Sequence, residues 1–472
     1  MGFVYGLAVV LLIFEGIIIQ CEGAGGPVSA DSPNQREDVS TIEKDKPTLP
    51  HDLTEKIFSD FDFQTIQNAV ESKIISPTNL VVSGRLQNCI IEITANPNDE
   101  IFECSSPSDS FLVLSGNKTL KTFFDEFGDQ VKKIKISYYL NNEFETNKKN
   151  LNIIKKYANN LEELRITAFV DKGLWEELSD GKNIIIFPEV KKFDFLGKIK
   201  RKKFKLSSIF PKLESVHLFG SIADVNCFKN VKGLKELELM SHPISEDKLK
   251  DIFRNNNNMT KICIDGPEKA KTMQWIAEHL KELKTLKVWV PGKKFLLRAK
   301  NKAVHKLPSV QHFYISWVEL NNLIDIENLS FELPNLKKLT LKASIVDDRI
   351  VNFIKYFERL EEVEFLVRKS NAVEIIGKLE HIKELTFFYE VENIHWQNQF
   401  SYLENEFKNF DQNFKLQTLK LLYPVELSNG ICEAEMEKIK IRLGESMKPT
   451  WALSYEKEIE TGQTYFMFKR DP

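Results

Sequence analysis

One hexad of apolar and polar positions recurs along most of the chain. Its order is apolar, two polar, apolar, one polar, apolar, and it occurs twelve times between residues 131 and 421. The last four positions alternate as a short strand does, with the apolar side chains on one face. The apolar residues of the hexads are Val131-Ile134-Ile136, Leu161-Leu164-Ile166, Val190-Phe193-Phe195, Leu213-Val216-Leu218, Leu234-Leu237-Leu239, Met259-Ile262-Ile264, Leu283-Leu286-Val288, Val310-Phe313-Ile315, Leu336-Leu339-Leu341, Leu360-Val363-Phe365, Ile382-Leu385-Phe387 and Leu416-Leu419-Leu421.

Apolar residues at helical spacing lie between several of these hexads. The clearest sets are Leu249, Ile252 and Phe253; Met273, Ile276, Ala277 and Leu280; and Ile350, Val351, Ile354 and Phe357. A strand and a helix repeated every 20–29 residues or so are typical of leucine-rich repeats. The pattern therefore predicts an α/β fold, a leucine-rich-repeat horseshoe of about twelve strand-helix repeats with a parallel sheet on its concave side.

Residues 1–23 have the layout of a secretory signal peptide. The stretch is almost entirely apolar, and the small residues Cys21 and Gly23 precede a plausible cleavage site. It lacks a basic start, and Glu15 interrupts it. The alternative is an uncleaved membrane anchor, but Glu15 near the bilayer centre would cost about 3 kcal/mol. The sequence therefore predicts a secreted chain with no membrane segment after cleavage.

Cleavage after Gly23 leaves five cysteines, an odd number, so at least one is a free thiol or bonds another molecule. Cys89 and Cys104 flank a predicted strand, turn and strand, and they are the best candidates for a disulfide bond. None of the cysteines belongs to a CxxC motif, so nothing supports a zinc site. Sequons at Asn117, Asn258 and Asn328 are compatible with secretion and predict glycosylation.

The segment of residues 49–72, LPHDLTEKIFSDFDFQTIQNAVES, resembles the start of an F-box. F-box proteins commonly carry leucine-rich repeats behind the box; the box docks on the Skp-type adaptor of a cullin ubiquitin ligase, and the repeats hold the substrate. The alternative is that these helices only cap the first repeat, because a solenoid end must cover its apolar layer. The residues that carry the resemblance, and that it implies as adaptor-binding residues, are Leu49, Pro50, Leu53, Ile57, Phe58 and Phe61.

A signal peptide before an F-box-like segment and repeats is also the layout of a known class of proteins. Secreted salivary effectors of gall-forming insects look like F-box/leucine-rich-repeat proteins behind a signal peptide, and this chain is similar to them. The resemblance implies delivery into host cells and redirection of host ubiquitination.

The segments beside the repeats complete the predicted organisation. Residues 451–455 and 464–468 alternate as two strands joined by a turn, which predicts a C-terminal β-hairpin cap. The predicted segments are a signal peptide at 1–23, a disordered linker at 24–48, an F-box-like helical segment at 49–75, an N-terminal capping region at 76–130, leucine-rich repeats at 131–422 and a C-terminal cap at 423–472.

Composition and motifs narrow the function classes. Charged residues make up 28% of the chain and hydrophobic residues 42%, so wholesale disorder is excluded. The net charge of −3 is not that of a dedicated nucleic-acid binder. The sequence contains no GxGxxG, Walker A, HExxH or GxSxG motif, and its 8 histidines show no metal-ligand spacing. We therefore expect a non-enzymatic protein without a metal or cofactor, in which His217, His312 and Cys263 occupy outward hexad positions.

Large apolar side chains follow many of the hexads. They stand just beyond the predicted strands, beside outward positions that are mostly charged. Aromatic residues at the rim of a charged surface are typical of interface hot spots. The alternative is that they pack on one another and seal the edge between repeats. The candidate partner-binding residues are Phe219, Met240, Trp289, Trp317, Phe388 and Tyr423, with Trp289 and Trp317 the favoured pair.

These observations predict a secreted protein that binds a protein target with its concave face. The F-box resemblance adds recruitment of that target to a Skp-cullin ubiquitin ligase. The second interpretation is an extracellular recognition or immune-type receptor protein without a ligase role. A third, binding of nucleic acid or glycan through basic runs at residues 198–205 and 293–306, ranks last.

Overall fold

A computed structural model of the chain describes parts of the unit Leu49–Pro472. The predicted signal peptide, the linker and the F-box-like segment lie outside the described residues. The described residues are 86–94, 101–105, 110–115, 117–138, 154, 156–168, 186–197, 205–220, 225–240, 246–266, 270–289, 304–316, 329–343, 348–367, 378–389, 415–423, 441, 451–457 and 464–470.

Short alternating segments form nineteen strands within these ranges. They are β1 (Ile90–Thr94), β2 (Ile101–Ser105), β3 (Ser110–Ser115), β4 (Lys133–Tyr138), β5 (Glu163–Ala168), β6 (Lys192–Gly197), β7 (Ser215–Phe219), β8 (Glu236–Met240), β9 (Lys261–Asp265), β10 (Thr285–Trp289), β11 (His305–Lys306), β12 (His312–Ser316), β13 (Phe331–Glu332), β14 (Lys338–Ala343), β15 (Glu362–Val367), β16 (Glu384–Tyr389), β17 (Thr418–Tyr423), β18 (Trp451–Lys457) and β19 (Thr464–Arg470).

Seventeen of the strands form one sheet, and β11 and β13 form a separate pair. The order across the large sheet is β2-β3-β1-β4-β5-β6-β7-β8-β9-β10-β12-β14-β15-β16-β17-β19-β18. The fourteen strands from β3 to β17 pair in parallel, and antiparallel strands lie at both ends. The predicted α/β class with a parallel sheet is therefore confirmed in the part of the chain that the structure describes.

All twelve hexads lie on strands that share one register, from β4 to β17. Leu237 lies opposite Ile262, for example, and Ile262 lies opposite Leu286. The three apolar residues of every hexad are at most 2% exposed. Full burial of a side chain of this size contributes about 1.5–3 kcal/mol relative to leaving it exposed, so these columns of apolar residues are the main source of stability.

One backbone carbonyl has the same role at each of the eleven steps between hexad strands. The carbonyl of the second hexad residue accepts two N–H groups, from the second and third residues of the next hexad. At the first step the Lys132 carbonyl accepts from Glu162 at 2.8 Å and from Glu163 at 3.0 Å. This doubled bond fixes where each strand begins relative to its neighbour.

Helices and turns connect the strands and add their apolar side chains to the same core. Helix α3 contributes Leu249, Ile252 and Phe253, and α5 contributes Ile350 and Ile354, as the apolar spacing predicts. The helices of the described residues are α1 (Asn117–Phe127), α2 (Leu206–Ile209), α3 (Glu246–Asn255), α4 (Ala270–His279) and α5 (Asp348–Lys355), with 3-10 turns at Gly128–Gln130, Ala158–Asn160 and Val225–Phe228.

The N-terminal end of the sheet differs from the expected hairpin of β1 and β2. Strand β3 lies between them, because Phe111 of β3 pairs with both Ile90 of β1 and Cys104 of β2. Two strand spacings separate the outer members of such a triplet by about 9.5 Å. A disulfide needs Cα atoms within about 7 Å. The topology therefore argues against the Cys89–Cys104 bond, and Cys89 is buried at the start of β1.

The C-terminal end has the two strands that the sequence predicts. Strands β18 and β19 pair antiparallel, and β19 also pairs antiparallel with β17. Phe468 of β19 lies opposite Leu419 of β17 and is fully buried. Strand β19 therefore covers the apolar row beside β17.

A fourth apolar position lies three residues before most hexads, and the sequence reasoning above missed it. Its side chains are at most 4% exposed: Phe187, Phe210, Val231, Leu280, Leu307, Leu333, Phe357 and Leu379. Before the sixth hexad this position holds a polar residue, Asn256, which is only 3% exposed. Its side-chain amide donates to the carbonyls of Val231 at 3.1 Å and Ile252 at 2.9 Å and accepts from the Leu234 N–H at 3.0 Å.

We predict that Asn256→Ala lowers the free energy of unfolding by about 1–3 kcal/mol, because it leaves buried backbone groups without a partner. Asn255→Ala is the matched control, since Asn255 is the exposed neighbour at the end of α3. Urea unfolding followed by circular dichroism measures both variants. Equal stability of the two variants would contradict this role of Asn256.

Candidate binding surface

The alternation of the strands creates a solvent face on the large sheet. We number the hexad residues 1 to 6 and the residue that follows them 7. Positions 4 and 6 point into the core, so positions 3, 5 and 7 point to the opposite side, which we call the solvent face. Strands β7, β8 and β10 show this alternation of half-buried and buried residues directly.

The candidate aromatic and apolar residues lie at position 7 of this face. Phe219, Met240, Trp289 and Phe388 are all half-buried. They are the last or nearly last residues of their strands and do not lie beyond them, which corrects the expectation from sequence. The strands extend beyond the last hexad residue because parallel pairing continues past position 6.

The other two predicted residues of this set are described less fully. Trp317 lies outside the described residues, so its pairing with Trp289 stays a prediction. Tyr423 is the last residue of β17, and its side chain lies outside the described part.

Two apolar clusters occupy the position-7 row. The first is Leu196, Phe219 and Met240, which lie opposite one another on β6, β7 and β8. Leu196 is 43% exposed, unusual for a leucine beside a packed row.

Gly220 directly follows β7 and has a φ of 119°, and a Cβ there would lie 2.2 Å from the Gly197 carbonyl oxygen. Only glycine therefore allows β6 and β7 to end so close together.

The second cluster is Leu366, Phe388 and Leu422, on β15, β16 and β17. Leu366 lies opposite Phe388, and Phe388 lies opposite Leu422. Leu422 is 6% exposed, whereas the other two are half-buried. The two clusters thus lie on either side of β9 to β14 in the row.

An aromatic pair lies between the two clusters. The ring of Trp289 on β10 lies 5.0 Å from that of Tyr314 on β12, at an interplanar angle of 38°. The Lys342 ammonium is 5.8 Å from the Trp289 ring, and the Lys287 ammonium is 6.0 Å from the Tyr314 ring. Such contacts each contribute about 0.5–1 kcal/mol at exposed sites. The pair is therefore both packed and flanked by two cations.

Cys263 occupies an outward position but is fully buried. Its sulfur lies 3.6 Å from that of Met240 on the neighbouring strand. Burial, reinforced by the charge of Glu238, raises the pKa of the thiol to about 12. The nucleophilic thiolate is thus suppressed at neutral pH, and the residue acts as a packing group.

Charged side chains on neighbouring strands form a ladder across β5 to β9. Arg165 contacts Glu163 at 2.5 Å and Asp194 at 3.3 Å, and Asp194 contacts His217 Nδ1 at 2.9 Å. His217 Nε2 lies 3.7 Å from Glu236. Burial alone would raise the pKa of Asp194, but the hydrogen bond to His217 and the nearby cations produce a net lowering.

Ser215, His217 and Asp194 are also connected to one another as the members of a hydrolytic triad are. The Ser215 hydroxyl lies 3.3 Å from His217 Nε2, while His217 Nδ1 faces Asp194. Triad chemistry needs free N–H donors beside the serine to stabilise an oxyanion. The Ser215 N–H instead donates to the Lys191 carbonyl at 2.9 Å as part of the sheet. The arrangement therefore supports an electrostatic role on the surface.

His312 lies in a second polar network, on β12. Thr340 donates its hydroxyl proton to Glu364 at 2.8 Å and lies 3.0 Å from His312 Nε2. The proton of Thr340 is used toward Glu364, so His312 Nε2 must carry its own proton and donate. Burial and the nearby Lys338 lower the pKa of His312 to about 4, although Glu364 opposes the shift.

A further set of ion pairs joins residues at position 2 of neighbouring hexads, and the sequence contains a regular signal for them. Position 2 of the hexads alternates in charge along the sheet: Lys132, Glu162, Lys191, Glu214 and Lys235. Ion pairs join Lys132 to Glu162 at 3.2 Å, Glu162 to Lys191 at 3.5 Å and Glu214 to Lys235 at 2.7 Å. Comparing one hexad position from strand to strand would have predicted these contacts.

The remaining predicted site residues contribute little to this surface. Asn258 is exposed in the turn before β9, whereas Asn328 and the side chain of Asn117 lie outside the described residues. The F-box-like residues lie outside them as well: Leu49, Pro50, Leu53, Ile57, Phe58 and Phe61.

Among the residues with described side chains, no group of three or more His, Cys, Asp or Glu could hold a metal ion. The helices described here include none that is long and apolar enough to span a bilayer.

We predict that His312 makes stability depend on pH. The unfolded side chain has a pKa of about 6.5, and the folded one has a pKa of about 4. The unfolded state therefore binds more protons between these values, and the free energy of unfolding should fall as the pH falls from 6.5 to 4. Urea unfolding at a series of pH values should show a shallower loss for His312→Gln than for the wild type; parallel curves would contradict the prediction.

No protein-family model and no curated protein matches the chain.

Proposed function

We propose that the chain is a non-enzymatic leucine-rich-repeat solenoid that binds a protein partner with its solvent face. In a horseshoe of such repeats, this face is the concave one. The observation that carries the proposal is the position-7 row, in which half-buried apolar and aromatic residues lie in register beside a charged ladder.

The composition of the row favours a protein partner. Interface hot spots are enriched in tryptophan and tyrosine and are surrounded by polar contacts that exclude water. Trp289 supplies such a residue, held against the buried ring of Tyr314, and Leu196 and Phe219 add apolar area on β6 and β7. Packing and binding are compatible roles for Leu196, Phe219 and Trp289, because each contacts a neighbour and remains partly exposed, whereas Tyr314 is only 7% exposed and supports the Trp289 ring.

The F-box-like segment gives this binding a proposed consequence. Residues 49–72 resemble a module that docks on a Skp-type adaptor, and the repeats would then hold the protein to be ubiquitinated. The signal-peptide layout and the resemblance to secreted effectors support delivery of the chain into a host cell. The other interpretation is a secreted recognition protein that uses its solvent face alone.

We predict that Leu196→Glu weakens partner capture by about tenfold or more, because it places a charge in a desolvated contact. Ile186→Glu is the matched control, since Ile186 is 52% exposed but does not belong to the solvent face. Purified wild type and both variants are used as baits in one eukaryotic lysate, and bound proteins are quantified by mass spectrometry.

The supporting result is a set of proteins retained by the wild type and by Ile186→Glu and lost with Leu196→Glu. Circular dichroism should show that both variants remain folded. Equal capture by all three baits would overturn the proposed use of this face.

The ligase role has its own test. A Skp-type adaptor should bind the full chain in a purified pull-down, and an Ile57→Asp/Phe58→Asp variant should lose the adaptor because charges replace its apolar contact. Leu196→Glu should still bind the adaptor, since residue 196 lies in the repeats. Equally poor binding of the wild type and the double variant would leave only the recognition role.

A further inference from the structure

Most basic side chains on the solvent face have a carboxylate directly opposite on the next strand. Such cross-strand pairs stabilise a sheet by about 0.2–1 kcal/mol each and neutralise the surface locally. At positions 3 and 5 these pairs are Lys133 with Glu163, Lys135 with Glu92, Arg165 with Asp194, Lys192 with Glu163, Lys261 with Glu236 and Lys338 with Glu362.

Lys287 departs from this rule. Its neighbours on the adjoining strands are Cys263 and Tyr314, neither of which is a carboxylate. It makes no ion pair within the described part of the chain, and its ammonium lies beside the Tyr314 ring. At positions 3 and 5 of the described strands, Lys420 is the other basic residue without a carboxylate opposite, since it faces Thr386 and Met467.

The surroundings of Lys287 are basic and aromatic. The solvent-face residues of β10, β12 and β14 include Lys287, Lys338 and Lys342 and no acidic residue. Three adjacent strands make this patch about 10 Å wide. Burial is the largest cause of the low pKa of His312, and Lys338, Lys287 and Lys261 lower it further while Glu364 opposes them.

Carboxylates border the patch on both sides. Glu236 and Glu238 lie on β8, and Glu362 and Glu364 lie on β15. Asp265 lies opposite Trp289 on the β9 side. An extended polyanion crossing the strands would meet these acidic borders, whereas a short acidic cluster fits between them. Charge complementarity therefore favours a compact acidic element over nucleic acid.

From this juxtaposition we infer that the patch of Lys287, Trp289, Tyr314 and Lys342 binds an acidic segment of the partner protein that also carries an apolar or aromatic side chain. The carboxylates of that segment face the two lysines, and its apolar side chain packs against the exposed part of Trp289, which the buried Tyr314 ring supports. The inference rests on the proposed function and names the chemistry of its partner.

A selection with random peptides displayed on phage tests this inference on the full chain. The peptides enriched on the immobilised wild type should combine acidic residues with an apolar or aromatic one. Their affinity, measured by fluorescence anisotropy of synthetic copies, should fall about tenfold or more with Lys287→Glu and also with Trp289→Ala, and should fall as salt is raised. Lys420→Glu is the matched control: it reverses a charge at the same hexad position but away from the aromatic pair.

The other outcomes overturn the inference in distinguishable ways. Enriched peptides that depend on Leu196 but not on Lys287 would contradict it and leave the proposed function standing. An absence of peptides that depend on any of these residues would contradict both. Loss of binding with Lys420→Glu as large as with Lys287→Glu would show a diffuse charge effect. Displacement of the peptides by heparin at equal or lower concentration would show a polyanion site.

Discussion

The position-2 carbonyl that accepts two N–H groups from the next hexad determines how the rest of the sheet is arranged. Since the bond recurs at every step from β4 to β17, each strand begins at the same level as its neighbour. Residues with the same hexad number therefore stack at about 4.8 Å spacing across the sheet. Each position becomes a row: three rows fill the core, and three line the solvent face. A substitution in one hexad therefore alters the packing of the matching residues in the hexads on either side.

The sequence predicted the rows well because a period-two pattern determines which face a strand residue occupies. It did not predict that β1 and β3 belong to the same parallel array. Their hexads start with Asn88 and Asp109 in place of an apolar residue, so the full pattern fails there. Nor could local spacing show that β3 inserts beside β1, since that pairing follows from the crossover through α1 to β4. The Cys89–Cys104 proposal depended on the missing information.

The binding surface was predicted in the same uneven way. The sequence placed Phe219, Met240 and Trp289 just beyond the strands, at the rim of the charged face, and it does not tell how much of each is covered. Coverage depends on the sizes of the neighbours: Cys263, at an outward position, is fully buried beside Met240. Whether Lys287 has a carboxylate opposite likewise depends on its cross-strand neighbours, Cys263 and Tyr314, which come from the hexads before and after it. These properties belong to rows across the sheet, and a single strand does not contain them.

Partial burial is what makes such residues suitable for recognition. A tryptophan already held against Tyr314 and below Lys342 has fewer rotamers to lose when a partner binds, so less of the contact energy is spent on ordering it. The same applies to the charges. A lysine paired with a carboxylate must exchange that partner for another, with little net gain, whereas Lys287 has no carboxylate to give up. Selectivity for an acidic segment therefore arises where the charge ladder is interrupted, at the strands on which the aromatic pair replaces it.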